Sequence, residues 1–263
     1  MSLSKINHDA CAVTPRKRPP PELVCQGVWR GDQWLAPDRP SVPSGHALLD
    51  RALPGGGWPP CQLIELLQPA GMHTEWRLLL PTLSRSAASG LVLLIAPPHN
   101  PNLQALAAQG LGCERLWRVD AGTPSHRLWA AEQALRCTDV SAVVAWFPHA
   151  ESQALRRLHT AAQAAGPVGH PGRPAGPLLF AWRPAEARAS ASPATLRLQV
   201  NSLGRQGLRV EVFKRRGPVL EQSLVLEAAV PVQRLAYGSS HPATPTWMPA
   251  EHHVVDRAVR LAA

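Results

Sequence analysis

Short, continuously apolar runs alternate along the chain with stretches in which apolar residues recur every three or four positions. The apolar runs predict buried β-strands at 63–67, 91–96, 116–119, 142–147 and 178–182. The periodic stretches predict helices over 75–88, 100–109, 125–135 and 152–165, the second capped by Asn100 with Pro101 in its first turn. Strands that alternate with helices are typical of βαβ units, so we expect an α/β fold with a mainly parallel sheet flanked by helices.

The hydrophobic period changes from helical to alternating after Ser192. Residues 196–200 and 208–212 each place apolar side chains at every second position, and Gly204 and Gly207 lie between the two runs. This pattern predicts an antiparallel pair at the C-terminal edge of the sheet, with a third strand near 223–226.

Both ends of the chain differ in composition from its centre. Residues 1–40 contain a basic, proline-rich stretch and predict a largely disordered arm, whereas 41–230 predict the α/β domain. Residues 231–263 predict a flexible tail, in which 251–261 form a short amphipathic helix. Its apolar residues are candidates for contact with a partner, namely Val254, Val255, Ala258 and Leu261.

The charge is strongly basic, with 27 Lys and Arg against 18 Asp and Glu and a net charge of +9. Such a charge favours an anionic partner, nucleic acid first, but a near-absence of lysine is also what the base composition of a genome can produce. Five basic residues cluster near the predicted C-terminal strands, namely Arg205, Arg209, Lys214, Arg215 and Arg216. A phosphate-contacting strip and a solvated sheet edge both fit this cluster.

Several functional classes are not indicated. The longest apolar run, 91–98, is too short to cross a membrane, and the N-terminus has no apolar signal segment, so we expect a cytoplasmic protein without membrane contact. The five cysteines form no C-x-x-C motif, and the histidines near the C-terminus lack further ligands, so we expect neither a disulfide framework nor a metal site. No G-x-S-x-G elbow indicates a hydrolase.

The order of strand, loop and helix at 63–83 is where a phosphate-binding loop would lie. Its seven residues are Gln68, Pro69, Ala70, Gly71, Met72, His73 and Thr74. Such a loop needs a lysine for the phosphate charge, and none is present, while Glu75 adds negative charge at the start of the helix. We therefore expect no nucleotide cofactor and no ATPase activity.

The segment VPSGHALLDRALPGGGWPPCQLIELLQPAG resembles the opening of the RecA-type recombinase core, and more closely the ImuA group of RecA-like proteins. The motifs IAPPHNP, LWAAEQALR, AVVAWFP and LRVEVFKRRG extend this resemblance over about 28–217. It implies a RecA-like core. In that alignment Gln68–Thr74 occupy the nucleotide loop, Pro98 the position of the catalytic glutamate and Trp146 that of the magnesium-binding aspartate. Lys214 and Arg216 match basic positions that reach a neighbouring protomer's nucleotide in recombinases.

The resemblance implies a non-catalytic accessory factor of error-prone translesion synthesis in the bacterial DNA-damage response. Its partners would be an ImuB-type inactive homologue of the Y-family polymerases and a mutagenic C-family polymerase. Two alternatives stay open within the same fold. One is a DNA-binding modulator of recombination that acts with RecA, and the other is a damage-induced cell-division inhibitor that binds a tubulin-like protein.

Nine tryptophans stand against one tyrosine. Four lie inside periodic elements and predict core packing, namely Trp117, Trp129, Trp146 and Trp182. Four others lie in predicted loops and are candidates for contact with a partner or with bases, namely Trp29, Trp34, Trp58 and Trp247.

Overall fold

A computed structural model describes residues 40–166, 176–218 and 220–227, and the backbone of 259–260. In these ranges the helices are α1 (Ala47–Ala52), α2 (Glu75–Ala87), α3 (Leu103–Ala107), α4 (Pro124–Arg136) and α5 (Ser152–Ala164). The strands are β1 (Leu63–Gln68), β2 (Leu91–Ile95), β3 (Leu116–Asp120), β4 (Val140–Trp146), β5 (Leu178–Pro184), β6 (Leu196–Ser202), β7 (Leu208–Lys214), β8 (Leu224–Leu226) and β9 (Val259–Arg260).

All these strands form one mixed sheet in the order β8-β7-β6-β1-β5-β4-β2-β3-β9. Every pairing from β6 to β9 is parallel, whereas β6–β7 and β7–β8 are antiparallel. The predicted α/β class, the mainly parallel sheet and its antiparallel C-terminal edge are therefore confirmed. The RecA-like assignment and the domain limits stay predictions.

The sheet is covered on both faces, which is why its central strands are apolar throughout. Helices α1, α2 and α3 pack on one face, where Ile64 and Leu66 of β1 meet Leu79 of α2. Helices α4 and α5 pack on the other face, where Leu63 lies in the same cluster as Leu155. Because side chains alternate along a strand, β1 supplies both layers and lies between them at the centre of the molecule.

The helix predicted over 100–109 is shorter than expected. Asn102, and not Asn100, caps it, because its Oδ1 accepts a hydrogen bond of 3.0 Å from the Ala105 N–H. The following helix is capped in the same way by Thr123, whose Oγ1 accepts from the His126 N–H.

Three tryptophan predictions are wrong. Trp117 is 36% exposed, because it lies in β3 near the edge of the sheet, before the residues that pair with β9. Trp129 is 51% exposed, because it lies on the outer face of α4. Trp58 is fully buried instead of being a contact residue. Its Nε1–H donates to Thr82 Oγ1 at 3.0 Å and its ring meets the Phe180 ring edge-on. Core packing of Trp146 and Trp182 is confirmed.

The terminal helix is also corrected where the structure describes it. Val259–Arg260 form the short strand β9, because their backbone pairs in parallel with Val119 and Asp120 at the edge of the sheet. The remaining residues of that predicted helix, among them Val254, Val255, Ala258 and Leu261, lie outside the described ranges, as do Trp29, Trp34 and Trp247. Among the helices that the structure describes, none is long and apolar enough to cross a membrane.

Candidate functional site

The loop between β1 and α2 lies at the carboxyl end of the central strand, the place where ligands bind in many open α/β sheets. Met72 N donates to the Pro69 carbonyl at 3.2 Å, which forms a turn through Ala70 and Gly71. Gly71 has φ of +75°, a value that glycine adopts without strain, and its Cα faces open space. The loop is thus a compact turn that leads directly into the buried N-terminus of α2.

Gln68 closes this loop from inside. Its Oε1 accepts a hydrogen bond of 3.0 Å from Thr74 Oγ1 and a longer one of 3.4 Å from the Thr74 N–H. Both side chains are buried, at 9% and 2% exposure. In a phosphate-binding loop this hydroxyl would hold Mg²⁺ and this N–H would face the phosphates. Here the N–H and the hydroxyl hydrogen both point to the glutamine, so the N–H no longer faces a bound anion.

Glu75 makes the N-terminus of α2 unfavourable for binding an anion. Its side chain is buried, and its Oε2 has no hydrogen-bond partner among the described residues. Oε1 lies 3.5 Å from Nδ1 of His73, whose Nε2 in turn lies 3.0 Å from Nε2 of His99. A buried carboxylate repels phosphate at the one helix end that would otherwise attract it.

The two positions assigned by resemblance to acidic residues hold no carboxylate. Pro98 is exposed in the segment after β2. Trp146 ends β4, is 8% exposed and lies opposite Trp182 of β5 in the parallel register. Its indole belongs to the cluster on the α2 face, so hydrophobic packing replaces a magnesium-binding group there.

The predicted basic cluster near β7 is not one continuous cationic surface. A register shift skips Phe213 and places Lys214 opposite Arg197, and Lys214 Nζ donates to the Ser192 carbonyl at 2.8 Å. Burial, and then the nearby Arg197 charge, lower the pKa of Lys214. The ammonium group of Lys214 is therefore bound to the protein's own backbone.

The other members of the cluster are also divided. Arg215 donates to the carbonyls of Ala52 and Pro218, and Arg216 is half-buried. Arg205 and Arg209 are exposed at the opposite end of β7. Between the two ends, Glu211 forms an ion pair with Arg188, which interrupts the positive charge.

A buried cluster of charged side chains lies at the centre of the sheet and was not predicted from the sequence. Glu65 of β1 has no solvent exposure and accepts hydrogen bonds from Arg197 Nε at 2.6 Å, Ser192 Oγ at 2.6 Å and Arg183 Nη1 at 3.3 Å. Arg197 also donates to the Ala187 carbonyl at 2.8 Å. The one signal in the sequence is a glutamate inside the apolar run 63–67.

The cleft between α4 and α5 is the second candidate site. A cavity of about 650 Å³ lies near their C-terminal ends, and another of about 670 Å³ near their N-terminal ends. Arg136, Arg156 and Arg157 line the first cavity, where Arg157 pairs with Glu132 at 2.9 Å. Trp129 lies on the same side of α4 as Arg136, seven residues earlier. Trp129 does not line either cavity, but its exposed indole lies on the helix that borders the cationic cleft, and tryptophan with arginine is typical of protein contact surfaces.

Metal chemistry with a full set of protein ligands is not indicated: within 40–166, 176–218 and 220–227, no group of three or more His, Cys, Asp or Glu side chains is placed to hold an ion. The described thiols, those of Cys61, Cys113 and Cys137, form no disulfide.

Two comparisons with known proteins point to the same group for the segment that begins with β1 and includes α5. The family model described as cell division inhibitor SulA matches residues 63–169, which run from β1 to the end of α5. A relative described as cell division inhibitor SulA, from Edwardsiella piscicida, is 29% identical over 143 residues, which cover 50% of this chain and 85% of that protein. Over this region the chain is therefore similar to the SulA-like group.

Proposed function

We propose that this protein is a non-catalytic interaction factor of the bacterial DNA-damage response. The single observation that supports a non-catalytic role is the Gln68–Thr74 contact, because it turns the Thr74 N–H, which would face a phosphate, and the Thr74 hydroxyl toward a side chain of the protein. The absence of a lysine in the loop, the buried Glu75 and the indole of Trp146 act in the same direction.

We infer that its complex is the one that carries out error-prone translesion synthesis, with an ImuB-type polymerase homologue and a mutagenic C-family polymerase as partners. The motif LRVEVFKRRG, one of those on which the resemblance to the ImuA group rests, lies at 208–217 and outside the family match at 63–169. It forms β7 and the turn after it. The chain thus has a C-terminal part of the sheet that the family match does not include.

A second candidate function is inhibition of cell division through a tubulin-like protein. The family match and the relative from Edwardsiella piscicida favour it, since both are described as cell division inhibitors, and the tubulin-like partner is what the resemblance adds. The two candidates share a non-catalytic mode of action and differ in the partner. The identity of the bound protein therefore separates them.

The α4–α5 cleft is the surface that we assign to the partner. Tryptophan and arginine are the residues most enriched among strong interface contacts, and both are exposed here, as Trp129 and Arg156. Neither supports the core: α5 packs inward through Leu155, Leu158 and Ala162. Substitutions at Trp129 and Arg156 are therefore expected to leave the fold intact.

The first experiment is calorimetric titration of the full chain with Mg-ATP. We expect no binding, and micromolar binding with turnover would contradict a non-catalytic role. The second is capture of the purified polymerase homologue or the purified tubulin-like protein by the full chain. We expect capture of the polymerase homologue, reduced at least tenfold by Trp129→Ala with Arg156→Glu.

A matched control for the capture is Val225→Ala, which also removes an exposed apolar side chain, but from β8 at the other end of the sheet. Capture should be unchanged by it. Capture of the tubulin-like protein alone would favour the second candidate, and capture of neither would contradict both.

A further inference from the structure

Two histidines from distant loops meet above the carboxyl edge of the sheet. His73 belongs to the β1–α2 loop and His99 follows β2, two strands that β5 and β4 separate in the sheet. Their Nε2 atoms lie 3.0 Å apart. The ring centroids are 4.4 Å apart and the ring planes are inclined at 77°, so the rings meet edge to face.

A buried carboxylate lies behind the pair. Glu75 Oε1 is 3.5 Å from His73 Nδ1, on the side of the ring away from His99. Histidines that bind metals commonly donate this second N–H to a carboxylate, which fixes the ring and its tautomer. The other oxygen of Glu75 is buried without a hydrogen-bond partner in the described part of the chain.

We propose that His73 and His99 bind a divalent transition metal ion, Zn²⁺ in the first instance, through their Nε2 atoms, with Glu75 as the residue that orients His73. With Zn–N bonds of 2.0–2.1 Å, two imidazoles on a tetrahedral ion have nitrogens about 3.3 Å apart. In the structure the two nitrogens share a hydrogen bond of 3.0 Å, which is close to that separation, so a metal ion would replace the shared proton after a small opening of the pair.

The site is a two-histidine site, with the remaining coordination positions filled by water. The His73 side chain is 42% exposed and His99 is exposed as well, so water reaches the metal from outside. Imidazole ligands suit zinc, copper and nickel, whereas magnesium prefers oxygen ligands. The chemistry is therefore distinct from that of a magnesium–nucleotide site and does not depend on the proposed function.

The test is titration of the metal-free full chain with Zn²⁺, followed by calorimetry, and with Co²⁺, followed by its visible absorption. Because the chain has eleven histidines, the decisive quantity is the difference between variants. We expect wild type to bind one more zinc ion than His73→Gln with His99→Gln. Either single substitution should weaken this site at least tenfold, and Glu75→Gln about tenfold with unchanged stoichiometry.

His126→Gln on α4 is the matched control, since it removes another histidine away from the pair and should change nothing. Zinc should also raise the Tm of wild type more than that of the double variant, because a ligand stabilises the state that binds it. Both ligand histidines are exposed, so the variants should keep the wild-type circular dichroism. Equal zinc stoichiometry and affinity in wild type and the double variant would overturn the proposal.

Discussion

Glu65 and Arg197 form a hydrogen-bonded ion pair of 2.6 Å between the adjacent parallel strands β1 and β6, with Glu65 fully excluded from solvent. The guanidinium of Arg197 also lies 4.9 Å from the centroid of the Phe213 ring, which covers it from β7. The pair therefore links the first strand of the sheet to its antiparallel edge. Its partners leave the carboxylate well satisfied.

Glu65→Leu should lower the free energy of unfolding by about 3–5 kcal/mol, because it leaves Arg183 and Arg197 buried without their counter-charge. Urea denaturation measures the loss. The half-buried pair Arg118–Asp120, which water reaches, serves as the control, and Asp120→Asn there should cost about 1 kcal/mol or less. An equal decrease in the free energy of unfolding in the two variants would contradict the prediction that the buried pair contributes more to stability.

Thr74→Ala should destabilise the protein by about 1 kcal/mol, because it removes the hydroxyl that donates to Gln68. Thr74→Ser keeps that hydrogen bond and should lose less. Denaturant unfolding gives both values, and partner capture by either variant should equal that of wild type. Loss of capture with Thr74→Ala would mean that the loop still has a ligand-dependent role.

Gly57→Ala should destabilise the protein by about 1–3 kcal/mol, because its Cβ would lie 2.3 Å from the Val42 carbonyl oxygen. That carbonyl is held in place, since Val42 and Trp58 exchange backbone hydrogen bonds of 2.9 and 2.7 Å. Gly122→Ala, with nothing within 4 Å, is the control and should leave the Tm unchanged or slightly higher. If Gly57→Ala leaves the stability unchanged, the prediction is wrong, and the paired backbone of Val42 and Trp58 can move to accommodate the methyl group.

Stability should fall with acidification through His46. Burial lowers its pKa below 6.5, and its Nε2 lies 3.1 Å from the Leu78 carbonyl. The unfolded chain therefore takes up a proton below about pH 6.5 while the folded chain stays neutral, so the free energy of unfolding decreases as the pH falls toward the folded pKa.

His46→Gln retains an N–H donor and removes the titration, so its loss of stability between pH 7.5 and 5 should be smaller than that of wild type. Urea unfolding at the two pH values gives this difference. Other titrating histidines, such as His159, contribute equally to both proteins and cancel. An identical loss in both would contradict the prediction.

The strands could be predicted from the sequence because burial on two faces requires uninterrupted apolar runs, as in 91–95 and 140–146. Boundaries of α3 were less predictable, since Asn100 and Asn102 both suit a cap and loop geometry selects between them. The exposure of Trp129 was missed because periodicity gives the buried direction of a helix only approximately.

The missing lysine was visible in the sequence, but the way in which Gln68 closes the loop was not. That contact joins residues six positions apart and depends on the turn between them. Glu65 was missed for a related reason, because Arg183 and Arg197 lie 118 and 132 positions away along the chain. Contacts of this kind follow from strand order, which local patterns do not specify.

The position of β1 in the sheet determines which fragments of the chain keep its pairing partners. Its two neighbours are β5 and β6, and both begin after residue 169, where the family match ends. A fragment cut at that point would contain β4, β2 and β3 side by side, while β1 would have lost the backbone partners on both of its edges. We therefore expect such a fragment to be less stable than the full chain, because β5 and β6 are the strands that pair with β1.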